Sequence, residues 1–523
     1  MIFNRREVLR GGLSALGFLT LPGGLWATPA GWKPKRKPNL VFGVVSDTHM
    51  RTHYDGKNFY SRYGTVMGDA ALKAVFRYFK GEGADAVVNC GDLTDRGMIR
   101  TMELYKKAWD KVFKGTRTVH LYATGNHDVE MMFEDWAKSI ARSVDPAVYV
   151  KLRLGPNLKA AMERIWGEPY EDVWHKTVNG YHFFGMGWGL NPNDQTPVFH
   201  GKLYHDSPME GKGCSSFVHK GLWMAELVRC ERDAGRLDLS KPFFTVYHCS
   251  IDRYDRRNAV INTHLRSALG LMPGEYCNAL GMFGHAHRSN ADWRFFWDRN
   301  AAFPSIACAS LAYWKERGGE GDNPVFAQGF GDGTAVGGGQ NMTHALLVNV
   351  YDDIMTIRRV WVEVRPKVRL ATLGPDLAVP LTGFAPSRHP LLPDRLMGSD
   401  AKPEFPKDAK LAVSRNNGAL RLKIPCANGN PLARVYGYNV VIAGEGGMKV
   451  KKSIYENGYS YGDGCEPDGG VTTLEIPASE LPVGKNLTLT VRPCSCLASR
   501  GRPLVATYST MSNTLKTRKA GSI

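Results

Sequence analysis

The chain has 523 residues, 43% hydrophobic and 22% charged, a balance that excludes collagen-like, low-complexity or wholly disordered proteins and calls for about two or three domains. Lysine and arginine number 67 against 50 aspartates and glutamates, a formal charge of +17. Anionic partners therefore fit, but the basic residues are scattered, which argues against a dedicated nucleic-acid stripe.

The N-terminus, NRREVLRGGLSALGFLTLPGGLWATPA, pairs Arg5 with Arg6 ahead of a moderately apolar, Gly-rich segment from Gly11 to Trp26. The segment is short for a membrane span and ends in small residues, with cleavage expected after Ala27 or Ala30. With Val8, Leu9 and Arg10 it resembles a bacterial twin-arginine signal. That implies residues 1–30 as a signal read by the twin-arginine export machinery, and a periplasmic or secreted protein. No later apolar run has spanning length, so no transmembrane span is expected in the mature chain. KPKRK at 33–37 reads as a solvated linker.

From residue 39, β-rich runs alternate with helical stretches, the pattern of an α/β sheet. Strands are expected at 39–46, 84–90, 117–124, 181–188, 242–249, 279–284 and 305–311, with a helix over 69–83 and an antiparallel hairpin over 344–363. Two stretches interrupt the rhythm as insertions: 134–177, mainly helical, and 191–240, a loop with one helix. The Gly-rich loop at 318–340 lacks phosphate-cradle spacing, and the Pro-rich residues 365–405 read as a linker. Period-two strands then recur between 406 and 512, which fits a small all-β sandwich of about a hundred residues; it resembles a fibronectin type III module in pattern only. Of ten cysteines, the six from Cys90 to Cys308 read as buried thiols, while Cys426, Cys465, Cys494 and Cys496 are the ones an oxidising compartment could pair.

Five strands run into polar residues. The endings are Asp47-Thr48-His49, Gly91-Asp92-Leu93-Thr94-Asp95-Arg96-Gly97, Gly125-Asn126-His127-Asp128, His248, and Gly284-His285-Ala286-His287. Each alone has a bland reading: Gly-Asn is an ordinary turn, Asp92 and Asp95 suit helix caps, and His248 suits a satisfied core histidine. Five together, at the strand ends where α/β sheets gather ligands, point to one site. Carboxylate, imidazole and amide donors suit zinc, manganese or iron. Two such metals about 3.5–4 Å apart need a ligand that touches both, and a carboxylate can bridge.

The set Asp-x-His, Gly-Asp-x-x-Asp-Arg-Gly, Gly-Asn-His-Asp, a lone His and Gly-His-x-His resembles the calcineurin-like metallophosphoesterase superfamily over residues 47–287. The resemblance implies an α/β fold, a β-sandwich core flanked by helices over residues 38–364, with two divalent metals (Mn, Fe or Zn) at one end. By the same resemblance Asp47, His49 and His287 hold one metal, Asn126, His248 and His285 the other, and Asp92 bridges. His127 then serves the leaving oxygen of a phosphate-ester substrate, with Asp95 orienting its imidazole and Asp128 the competing orienter. Arg96 contacts the phosphate or makes an ordinary salt bridge. Purple acid phosphatases place a tyrosine where Asp95 stands, which argues against a tyrosinate-bound ferric ion. Met50 follows Asp-x-His where Ser/Thr phosphatases have glycine.

The implied activity is hydrolysis of phosphate monoesters or diesters by metal-bound hydroxide. Two other classes compete: a non-catalytic surface or glycan-binding protein, and a metal-dependent nuclease with nucleic acid as substrate only. The first has no need of a full ligand set. The second lacks an obvious platform of stacked aromatics.

Overall fold

A computed structural model describes residues 36–50, 68–95, 97–129, 157–188, 216–249, 342–363 and 367–381, most of 256–311 and 402–518, and a few isolated residues besides. Arg96, the Gly-rich loop at 318–340, nearly all of the export segment and parts of both insertions lie outside the described residues.

Two mixed sheets face one another. The first contains β1 (Leu40–Val45), β2 (Ala86–Asn89), β3 (Val119–Tyr122), and, later in the chain, β9 (Met342–Val350), β10 (Ile354–Glu363), β11 (Arg369–Thr372) and β12 (Leu377–Pro380). Its order is β12-β10-β9-β1-β2-β3, with β11 also on β10 and the two-residue strands Leu19–Thr20 and Trp26–Ala27 beyond β12. The second contains β4 (Val173–Val178), β5 (Tyr181–Met186), β6 (Phe243–Val246), β7 (Ala279–Phe283) and β8 (Ser305–Ala307), in the order β8-β7-β6-β5-β4. β1, β2 and β3 run parallel, as do β5, β6, β7 and β8. Their carboxyl ends therefore gather at one end of each sheet.

The continuous apolar run of β1 is buried on both faces, which a parallel central strand requires. Alternation decides which residue meets what. Phe42 and Val44 enter the core between the sheets, where Phe42 meets Phe183 and Phe244 edge-on at 5.3 and 4.7 Å. Val41 and Val45 point the other way, to a second core shared with α1 (Gly68–Gly81) and α2 (Ile99–Phe113). On the outer face of the second sheet, Met224 and Val228 of α4 (Ser216–Asp233) and Ile261 and Leu265 of α5 (Arg256–Leu269) cover Phe184, Met186 and Phe243. No helix among the described residues is long and apolar enough to cross a membrane.

Two stretches differ from the sequence reading. Within 134–177, α3 (Leu158–Trp166) is helical but Val173–Val178 is a strand, turned into β5 by Asn179-Gly180, both at positive φ. That is the Asn-Gly hairpin signal, masked by the helical stretch before it. Within 365–405, β11 and β12 extend the first sheet. Pro366, Pro375 and Pro380 hid these short strands, yet proline is tolerated at a strand end or sheet edge where no ladder donor is needed.

The C-terminal sheets hold β13 (Ala412–Asn416), β14 (Ala419–Ile424), β15 (Val435–Ala443), β16 (Lys449–Tyr455), β17 (Thr472–Ile476), β18 (Asn486–Ser495), β19 (Leu504–Ser509) and β20 (Thr514–Arg518). They form two antiparallel sheets, β13-β14-β17 and β16-β15-β18-β19-β20, closed over Leu420, Leu422, Tyr438, Val440, Leu489 and Val491. Tyr436, Tyr455 and Tyr459 join the first core alongside Leu377 and Val379. Asp463 accepts hydrogen bonds from Thr372 Oγ1 at 3.0 Å and the Gly374 N–H at 2.8 Å, so the sandwich is pinned to the first sheet. Cys426, Cys465 and Cys494 are free thiols; Cys496 lies outside the described residues.

Candidate metal centre

Each loop at a strand end turns sharply, and the residues that turn are the ones with chemistry. Asp47, His49, Asp92, His285 and His287 all have positive φ, from 42° to 67°. Such backbone costs roughly 1–3 kcal/mol per residue and clusters at functional sites. Two glycines make room. A Cβ on Gly125 would lie 2.1 Å from Asp92 Oδ1, and one on Gly284 would lie 2.4 Å from Asp47 Oδ2.

The predicted ligands converge as two groups that share Asp92: Asp47, His49, Asp92 and His287 in one, Asp92, His248 and His285 in the other. In the first, His287 Nε2 lies 3.0 Å from Asp47 Oδ1 and His49 Nε2 lies 3.0 Å from His287 Nε2. In the second, Asn126 Oδ1 lies 3.0 Å from His248 Nε2 and 3.1 Å from His285 Nδ1. Asp92 Oδ2 stands 3.1 Å from His248 Nε2 and 3.6 Å from His49 Nε2. Outer contacts hold these residues. His248 Nδ1 faces the Cys90 carbonyl at 2.9 Å, which sets its ring, while the backbone N–H of His285 donates to the Asp47 carboxylate and sets its loop.

His127 sits beside the ligands, in neither of these two groups but in a third with His49 and Asp95. Its N–H donates to Asp92 Oδ1 at 2.8 Å, and its Nδ1 lies 2.8 Å from the backbone carbonyl of Asp95. The Asp95 carboxylate is nearer His49 Nδ1, at 3.2 Å, than His127 Nδ1, at 3.8 Å. Asp95 thus holds His127 through its backbone and His49 through its side chain. Asp128 turns to the backbone of two loops. Its carboxylate accepts from Leu93 N–H, Thr94 N–H, Thr94 Oγ1–H and Gly125 N–H at 2.7–3.2 Å, clamping the second loop to the third. Burial, then the charge of Asp92, raises its pKa to about 6. Arg96 is outside the described residues.

Charge balance inside the centre favours ligand forms. Burial pushes Asp47 and Asp92 up, but the histidines around them outweigh it and hold both below the ordinary carboxylate value. Burial lowers His49, favouring its neutral imidazole. Burial also lowers His248, yet Asp92 and Asp47 together lift it to about 9. A proton there stands where a cation would be welcome.

The residues fit a metal pair. Asp92 Oδ2 is fully buried and meets no hydrogen bond of good geometry; its near neighbour is the His248 ring at 3.1 Å, so the oxygen is one that a cation, a proton on His248 or a metal, would satisfy. It is also the atom both groups face. The donor set is imidazole, carboxylate and amide oxygen, which suits borderline divalent metals.

One wall was not anticipated. Trp188 stacks on the His285 ring at 5.9 Å and meets His248 edge-on at 5.9 Å. Its carbonyl accepts from buried Lys220 Nζ at 3.0 Å, which also pairs with Asp172 at 2.9 Å. Trp188 follows β5 as the ligands follow their strands, so the strand-end rule would have included it.

Residues 40–250 match the family model for calcineurin-like phosphoesterases. The match stops short of His285 and His287, which complete the two groups. Among curated proteins none matches the chain. A dimetal phosphatase from Danio rerio is similar at 13% identity and TM-score 0.34, covering 64% of this chain and 99% of its own. A purple acid phosphatase from yellow lupin (Lupinus luteus) seeds is similar at 10% identity and TM-score 0.34, covering 66% of this chain and 54% of its own.

Proposed function

We propose that the protein is a dinuclear metallophosphoesterase that hydrolyses phosphate monoesters or diesters. The observation that carries the reading is the pair of ligand groups sharing the buried Asp92 Oδ2, within the stretch matched to calcineurin-like phosphoesterases. Asp47, His49 and His287 would hold one metal, Asn126, His248 and His285 the other, with Asp92 between them. Bound there, divalent metals supply Lewis acidity toward phosphoryl oxygens and lower the pKa of water.

The rest is the work of the chain. The Asp95 carbonyl accepts from His127 Nδ1–H, which leaves Nε2 as the atom that exchanges a proton with the leaving oxygen. The His127 side chain is 12% exposed, against 0–3% for the side chains of Asp47, His49, Asp92, His248 and His287, so it borders the open side together with the exposed His285. Trp188 covers one face of the His285 ring and meets the His248 ring edge-on. Asp128 keeps the loops bearing Asp92 and Asn126 in register.

Chromogenic monoester and diester substrates, assayed with manganese and then with chelator, test the reading. Hydrolysis of at least one, abolished by chelator and restored by metal, is expected; hydrolysis indifferent to chelator, or none of either, overturns it.

Export to the periplasm or beyond, supported by Arg5 and Arg6 ahead of the Gly-rich apolar segment, belongs to the same proposal. Replacing both arginines with lysine should leave the precursor in the cytoplasm, and normal export of that variant would refute a twin-arginine route.

A further inference from the structure

A second cluster of ligand-type side chains lies away from the proposed centre, where the β4–β5 hairpin packs against the last turn of α4. His175 and His182 lie diagonally across the hairpin, on the face shared with Phe184, because His175 is paired with Phe184 and Thr177 with His182. The two imidazoles are within 6° of parallel, and His175 Nε2 lies 2.9 Å from His182 Nδ1. Glu231 of α4 brings its Oε1 to 3.7 Å from His175 Nδ1. One donor atom from each of the three lies within 4.8 Å of the others.

We propose that His175, His182 and Glu231 bind a single borderline transition-metal ion, zinc foremost, as a site separate from the dinuclear centre. Two imidazoles and a carboxylate with one position left for water is a donor set zinc accepts in tetrahedral geometry. The ring orientations are set in advance. His175 stacks on buried Phe184 at 4.6 Å with planes 14° apart, and His182 lies nearly parallel to Phe184 as well, with planes 18° apart. Glu231 is steadied by Arg236, whose Nη2 and Nε donate to its two oxygens at 2.7 and 2.8 Å. Arg236 also cancels the carboxylate charge, which disfavours hard calcium or magnesium and leaves the imidazoles to select the ion. Burial lowers the pKa of both histidines, so their lone pairs are open to a metal at neutral pH. The side chains of His175 and Glu231 are 19% and 13% exposed, enough for an ion to enter. Bound there, the ion would tie the hairpin that leads to Trp188 onto the helix that carries Lys220.

The test is zinc binding to the metal-stripped full chain, read by competition with a chromophoric chelator and by elemental analysis. The wild type should take up one zinc per chain more than the His175→Ala/His182→Ala double variant. Glu231→Gln should weaken that extra zinc by about 10–100-fold or more, at least the loss that follows removal of a supporting partner. Measured against its own chelated baseline, each variant should lose part of the zinc-induced rise in melting temperature, and each should keep full hydrolysis when the dinuclear centre is loaded. Equal zinc uptake by wild type and double variant, or an extra zinc unmoved by Glu231→Gln, overturns the site. A failure of the phosphoesterase reading would leave this count unchanged, since it concerns other residues.

Discussion

In the strand-end loops, Asp47, His49, Asp92, His285 and His287 adopt positive φ, whereas from residue 402 onward every described positive φ belongs to a glycine. The loops bury carboxylates and imidazoles at 0–5% exposure, His127 and His285 excepted. The C-terminal sheets bury chiefly Leu, Ile, Val and Tyr from regular antiparallel ladders. The first region holds strain and a cluster of buried charges, whereas the second, among its described residues, has no such strained side chain and buries a lone carboxylate, Glu456. It follows that stability and activity should separate: damage to the loops should show in metal and rate, damage to the sandwich in melting.

The largest effect is expected for Asp92→Asn. The amide removes the shared anionic oxygen, so elemental analysis should show the loss of the two ions of the dinuclear centre and hydrolysis should fall below detection. Retention of about two metals per chain would break the comparison at its centre. His127→Ala comes next and sharpens it within the loops. The variant should keep its metals and lose roughly 10²–10⁴ in rate on alkyl phosphates, with a smaller loss on nitrophenyl phosphate, whose leaving group needs no proton. Equal losses on both substrates, or loss of metal, would show that His127 is not the proton donor. The smallest effect on activity belongs to Leu489→Ala in the sandwich core, where Leu489 is fully buried. Denaturation should show a loss of about 2–5 kcal/mol with rate per folded molecule unchanged; a parallel fall in kcat would mean that the sandwich supports the centre.

Much of this is legible in the order of the amino acids. Continuous apolar runs announce β1, β2, β6 and β7, because strands buried on both faces need apolar side chains on both faces. The polar residues that end them stand out because nothing in a strand or helix core calls for Asp-x-His or Gly-Asn-His-Asp. All seven proposed metal ligands come from that contrast, and Asp92 stands in both groups.

Partner choice inside the site is not legible. Asp95 and Asp128 flank His127 in motif order, and each suits the task of orienting it. Only the fold turns the Asp95 carboxylate to His49 and its carbonyl to His127, and spends Asp128 on clamping two loops. The trio His175, His182 and Glu231 escapes for the same reason. Sequence periodicity tells which face of a strand or helix is apolar, since that depends on the residue alone. Which polar atoms meet depends on loop dihedrals and on the packing of segments tens to hundreds of residues apart, and those are settled only when the sheets close on one another.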